Sequence, residues 1–115
     1  EPITFVIGTS DDKDKAGILT ALLPLAARVV FAAADNPRAA PAESLAELAR
    51  SLPAGRSIPI QTATSPAEAL RMAVAGSRTT TVCVAGSLFL IGEILVQATE
   101  NTDIFSLSVA PGLIP

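Results

Sequence analysis

The sequence predicts an α/β protein, a three-layer αβα, Rossmann-like domain with a mostly parallel sheet. Three observations carry that prediction. Short β-branched runs are nearly continuous in apolar character, the mark of strands buried on both faces. Segments with apolar residues at helical spacing follow each run. The resulting order, β-α-β-α-β-α-β-α, closes with right-handed crossovers only around a parallel sheet.

Ile3-Thr4-Phe5-Val6-Ile7 is the first strand. It runs into Gly8-Thr9-Ser10 and then the charged cluster Asp11-Asp12-Lys13-Asp14-Lys15, read as a loop that opens a helix. An Asp there caps the first turn and complements the helix dipole. The helix is predicted from Ala16 to about Ala27, with Ile18, Leu19, Leu22, Leu23 and Ala26 on one stripe. Pro24 should kink it or loosen its last turn, because proline has no N–H to donate. Arg28 to Ala33 is the second strand, and Ala34 to Ala40 a polar loop. Pro41 suits the first position of a second helix, whose stripe is Leu45, Leu48, Ala49 and Leu52, ended by Pro53-Ala54-Gly55.

The third strand, Ser57 to Thr62, is weaker. Pro59 cannot donate to a ladder, which places this strand near a sheet edge. Ser65-Pro66-Ala67-Glu68 reads as a capping box with Pro at the first helical position, and its helix runs through Ala69, Leu70, Ala73 and Val74 to Gly76. Thr79 to Ala85 is the fourth strand. It enters Gly86-Ser87 and a last helix carrying Leu88, Ile91, Leu95 and Val96. Residues 1–99 are thus expected to form the domain and 100–115 a tail. Within the tail, Phe105 to Val109 alternates as a half-exposed strand does, so it reads either as flexible or as an added edge strand.

Composition excludes several functions. The chain has 115 residues, half of them hydrophobic, and a net charge of −3, which argues against a nucleic-acid groove. No apolar run reaches membrane-spanning length, so no membrane partner is expected. A single cysteine rules out an internal disulfide and fits a reducing compartment. The absence of histidine removes Ser-His catalysis and most zinc sites, and no metal site is expected in this stretch. Cys83, inside a β-branched strand, reads as core. Glu1-Pro2 enters the first strand abruptly, so the chain is read as a piece of a longer protein.

In a parallel sheet the C-terminal strand ends share one edge, and ligands bind there. That edge collects Gly8 to Asp14, Ala34 to Ala40, and Gly86-Ser87. The last is a strand delivered to a helix N-terminus, where a hydroxyl and unpaired N–H groups suit a carboxylate or phosphate. Ser87 also reads as a plain helix cap, Arg38 as a turn residue, and Asp11 to Lys15 as a solvated helix start. Neither a Walker nor a Rossmann fingerprint is present.

Taken in order, Phe5-Val6-Ile7-Gly8, Asp12-Lys13-Asp14, Leu22-Leu23-Pro24-Leu25-Ala26, Asn36-Pro37-Arg38-Ala39 and Gly86-Ser87-Leu88-Phe89-Leu90-Ile91-Gly92-Glu93 resemble the C-terminal domain of bacterial folylpolyglutamate synthase/dihydrofolate synthase, in the Mur ligase superfamily. The resemblance covers about residues 3 to 97. Asp35-Asn36-Pro37-Arg38 also resembles the motif of peptidoglycan (UDP-MurNAc-peptide) amino-acid ligases. Those enzymes, however, carry Arg where Lys13 stands and a Gly-Lys-Gly-His-Glu-type segment where Gly86-Ser87-Leu88 stands.

The resemblance implies a ligase that uses ATP and Mg2+ to join L-glutamate to folate or dihydropteroate through an acyl phosphate, in the cytoplasm. It implies that Ser87, Gly86 and Arg38 hold the glutamate, and that Asp12, Lys13 and Asp14 face the nucleotide side of a closing interface with an N-terminal ATPase domain. No catalytic residue is expected in this stretch, and the fragment alone is expected to be inactive. The chain lacks the Asp-Gly-Ala-His-Asn-Pro-like segment that opens the domain in that family. Its loss is expected to bare a sheet edge, which the tail or a second copy of the chain would cover. The reading of a different class is a non-catalytic α/β binding or regulatory module.

Overall fold

A computed structural model describes residues 3–11, 14–35, 37–75, 81–86 and 108–109. Five strands form one sheet in the order β3-β2-β1-β4-β5. They are β1 (Ile3–Gly8), β2 (Arg28–Phe31), β3 (Ile60–Thr62), β4 (Thr81–Gly86) and β5 (Ser108–Val109), and every pairing is parallel. Three α-helices are described, α1 (Lys15–Leu22), α2 (Ala42–Ser51) and α3 (Pro66–Ala75).

Strand alternation sorts the core into two layers. Phe5, Ile7, Val29 and Phe31 pack against Ile18, Leu19 and Leu22 of α1 and Leu45, Ala46 and Ala49 of α2. Val6, Val30, Val82 and Val84 face the other way, onto Ala69, Leu70 and Ala73 of α3. Among the described residues, two helices on one face and one on the other make the three-layer αβα arrangement that the order of elements predicts. Val6, Ile7, Val29, Val30, Phe31 and Val84 are all 0% exposed, which is why these strands read as continuous apolar runs rather than alternating ones.

The element ends carry the corrections. The first helix stops at Leu22 and tightens into a 3-10 turn over Leu23–Leu25, short of the predicted Ala27. Pro24 sits inside that turn, and its missing N–H cannot extend an α-helical ladder. Pro41 lies one position earlier than predicted. It is the N-cap of α2, in extended conformation at φ −60 and ψ 139, and its carbonyl accepts the N–H of Leu45 at 3.2 Å. After α2 the chain makes a second 3-10 turn over Pro53–Ser57, which takes Ser57 out of the third strand. The predicted second and third strands shrink to Arg28–Phe31 and Ile60–Thr62, and β3 lies at the sheet edge where Pro59 placed it.

The capping box of α3 forms in altered shape. Ser65 Oγ accepts the N–H of Glu68 at 3.1 Å, as expected. The Glu68 carboxylate reaches one residue further back than a capping box requires, accepting from Thr64 N–H at 2.7 Å and Thr64 Oγ1 at 2.8 Å. Arg28, at the start of β2, donates to Gln61 Oε1 at 2.8 Å and to the carbonyl of Met72 at 2.8 Å. It thereby ties the edge strand to the last turn of α3. In the tail, Ser108 and Val109 pair with Cys83 and Val84, while Phe105, Ser106 and Leu107 lie outside the described residues, as does the predicted helix from Leu88.

Candidate functional site

The connectivity places one crevice. From β1 the chain winds outward through β2 to β3, then crosses to the other side of β1 to form β4. The direction of winding therefore reverses between β1 and β4, and ligands of open parallel sheets bind outside the strand ends at such a reversal. The two strands end there together, with Gly8 and Gly86 as register partners. Gly86 thus stands at the reversal itself, and Ser87, which follows it, lies outside the described residues.

The loops leaving β1 and β2 do not stand apart. Ser10 and Ala39 form an antiparallel bridge. Asp11 N–H donates to the Arg38 carbonyl at 2.7 Å, and Ala40 N–H donates to the Thr9 carbonyl at 2.9 Å. Two connections that read in sequence as independent are zipped into one ledge beside the reversal. Arg38 belongs to that ledge, and the side chains of both Arg38 and Asp35 are exposed.

Charge within the ledge is organised by helix α1. Lys15 Nζ lies 2.6 Å from Asp11 Oδ1 and donates to the Asp11 carbonyl at 3.2 Å. Asp14 is the N-cap, its carboxylate accepting from Gly17 N–H at 3.0 Å. Of the three residues expected at an interdomain surface, Asp14 thus has a visible local task; Asp12 and Lys13 lie outside the described residues. Thr9 is only 3% exposed, and among the described residues its Oγ1 has no hydrogen-bond partner. At the mouth of β3, Thr62 donates to Glu43 Oε2 at 2.7 Å, fastening the first turn of α2 to the strand end.

Two titratable groups depart from ordinary behaviour. Hydrogen bonds from the Thr64 N–H and then from its hydroxyl hold the Glu68 carboxyl below its usual range. Burial pushes the Cys83 thiol up, so it stays protonated, in keeping with the core role predicted for it. Among the described residues, no three His, Cys, Asp or Glu side chains stand together as a metal site, and no helix is long and apolar enough to cross a membrane.

The structure thus places Gly86 at the reversal and Arg38 on the adjoining ledge. Sequence reasoning missed the Ser10–Ala39 bridge and the pairing of Lys15 with Asp11. Only the last left a signal, opposite charges four residues apart at the predicted helix start, although Asp11 lies before the helix that Lys15 opens.

The family model described as dihydrofolate synthetase, C-terminal domain, matches residues 1–97. Folylpolyglutamate synthase of Mycobacterium tuberculosis complexed with ADP is similar at TM-score 0.57 and 23% identity, over 94% of this chain and 20% of that one. Another structure of that enzyme, with ADP and AMPPCP, is similar at TM-score 0.63 and 23% identity, over 85% of this chain and 23% of that one. The bifunctional folylpolyglutamate synthase/dihydrofolate synthase of Yersinia pestis, complexed with AMPPNP and Mn ion, is similar at TM-score 0.73 and 25% identity, over 85% of this chain and 22% of that one. The chain therefore spans about a fifth of the length of these structures. Comparison with curated proteins gives no match. The chain belongs to the family of dihydrofolate synthetase C-terminal domains.

Proposed function

We propose that this chain is the substrate-holding, closing domain of a larger cytoplasmic ligase that adds L-glutamate to folate or dihydropteroate. The observation that carries the reading is the ledge itself. It joins the loop that carries Arg38 to the loop that leaves β1, whose end pairs with the end of β4 at Gly8 and Gly86, in a chain of this family, and this supports the reading. An amino acid entering such an edge presents a carboxylate. The Arg38 guanidinium suits it as a planar pair of donors, and the backbone at Gly86-Ser87 can approach it closely because Gly86 has no side chain.

In this reaction the folate carboxyl is first activated as an acyl phosphate. The glutamate amine then attacks the acyl carbon, forming the amide and releasing phosphate. ATP with Mg2+ supplies the phosphoryl group. We assign nucleotide and metal to the rest of the enzyme; the solved relatives complexed with ADP, or with AMPPNP and Mn ion, are about five times as long as this chain. This chain's part is to bind and orient the amino acid, through Ser87, Gly86 and Arg38. Asp12, Lys13 and Asp14 belong to the surface that closes on the ATPase domain. Asp14 acts there by shaping the loop, since its carboxylate caps α1.

The test is steady-state kinetics on the full-length ligase that carries this chain. Arg38→Ala should raise KM for L-glutamate by roughly tenfold to a hundredfold, the worth of a charge-assisted hydrogen bond, and leave KM for ATP unchanged. An unaltered glutamate KM would remove Arg38 from the site, and a wild-type preference for a diamino acid would transfer the reading to the muramyl ligases. The isolated chain should show no ligation.

A further inference from the structure

We propose that Lys15 is a positioning residue for the amino-acid site, acting through Asp11 on the backbone of Arg38; this rests on the reading of Arg38 given above. The chain of contacts is short. Lys15 Nζ holds Asp11 by its carboxylate at 2.6 Å and by its carbonyl at 3.2 Å. The N–H of that same Asp11 donates to the Arg38 carbonyl at 2.7 Å. Ala40 N–H, bonded to the Thr9 carbonyl at 2.9 Å, closes the ladder on the other side of the bridge. Asp11 is therefore held from both sides, by a cation rooted in the first turn of α1 and by the loop that carries Arg38.

The anchoring end is firm. Lys15 is the first residue of α1, a helix whose N-terminus is fixed by the Asp14 cap and whose Ile18 and Leu19 are buried in the core. The Lys15 side chain is 29% exposed against 64% for Asp11, so the pair is partly sheltered at the helix end and open at the loop end. Lys15 adds a side-chain tie to the two backbone bonds described between the loops, Asp11 N–H to the Arg38 carbonyl and Ala40 N–H to the Thr9 carbonyl. Lys15 therefore selects one conformation of the ledge before ligand arrives, and the amino acid meets Arg38 already placed.

The experiment is amide hydrogen exchange on the chain, read residue by residue by NMR, in wild type, Lys15→Met and Lys15→Arg. In Lys15→Met the Asp11 and Ala40 amides should exchange roughly three- to fivefold faster, in keeping with loss of a partly exposed ion pair, while Val30 and Phe31 in the sheet do not change. Lys15→Arg should restore protection. High salt should accelerate the same two amides in wild type but not in Lys15→Met, since only the former has an ion pair to screen. Equal protection in Lys15→Met and wild type, or no salt response in wild type, overturns the role of Lys15. L-Glutamate titrated into the same samples should shift the Arg38 amide, with weaker apparent affinity in Lys15→Met and recovery in Lys15→Arg. If the exchange pattern holds but glutamate leaves wild-type Arg38 unmoved, the binding role of Arg38 fails, and the positioning role fails with it.

Discussion

The carbonyl oxygen of Ala49 lies 1.9 Å from the place a Cβ on Gly55 would occupy. The turn after α2 folds back so tightly over the last helical carbonyls that no side chain fits at this position. Gly55 N–H also donates to the Leu52 carbonyl at 3.0 Å, and its backbone is buried. The obstructing atom is main chain, so relief requires the turn to lift away from α2. Gly55→Ala should therefore lower stability by about 1–3 kcal/mol, the range for overpacking a tight site. A thermal melt measures it, and a melting temperature within a degree of wild type would refute the steric account.

Asp14 and Gly17 also meet at the start of α1, where the obstructing group is a side-chain carboxylate. A Cβ on Gly17 would collide with Asp14 Oδ2, so the capping carboxylate must shift to admit a side chain at Gly17. Asp14→Ala alone should cost about 1 kcal/mol, as N-cap removal does. Gly17→Ala alone should lie near zero, because a gain of about 1 kcal/mol in helix propensity offsets the disturbed cap. In the Asp14→Ala background the same Gly17→Ala should be stabilising. A double-mutant cycle by urea unfolding checks this, and strict additivity would show that the two sites do not interact.

Arg28 joins three elements through one guanidinium. It donates to Gln61 of β3 and to the carbonyls of Met72 and Ala73, at 2.8 Å and 3.5 Å, at the C-terminal end of α3, where a cation complements the helix dipole. Arg28→Ala should cost about 1–2 kcal/mol, in line with hydrogen bonds to a charged group. Arg28→Lys should recover less than half of the loss, because an ammonium cannot span the same planar set of acceptors. Chemical denaturation of both variants is the measurement.

Glu68 sets a pH dependence with a definite sign. Its carboxyl titrates below the usual range in the folded chain because the charged form accepts from the Thr64 N–H and hydroxyl. The folded state thus binds this proton less readily than the unfolded chain. Its contribution is present at neutral pH, above the unfolded carboxyl's range, and is lost as pH falls through the folded value. NMR titration should place the Glu68 midpoint below that of an exposed glutamate, and Thr64→Gly should move it upward. The position is at the surface, so the effect on overall stability is small.

The two-faced sheet and its helices were legible because burial leaves marks on neighbouring residues. Phe5, Val6 and Ile7 are apolar in succession since one face meets α1 and α2 and the other meets α3. Pro59 marked the edge strand by its missing donor, and Pro24 marked a loosened last turn, although the helix was expected to reach Ala27. Local hydrogen-bond chemistry was legible as well, in the Asp14 cap and the Ser65–Glu68 box. Boundaries drifted where a turn competes with a helix or strand over one or two residues, as at Leu23–Leu25 and Ser57, because both conformations suit the same side chains.

What the sequence determined alone is the alternation of elements, the faces they bury and the family they resemble, all of which rest on contacts near in the chain or on motifs in fixed order. Tertiary structure decided the strand order, the meeting of Gly8 with Gly86, and the ledge that joins Ser10 to Ala39 and seats Arg38 against Asp11. Those contacts are made by backbone groups far apart in the chain. Every residue but proline offers the same N–H and C=O, so nothing in residue identity announces which two loops will pair. Only the packing of α1 and α2 on one face of the sheet brings them within reach.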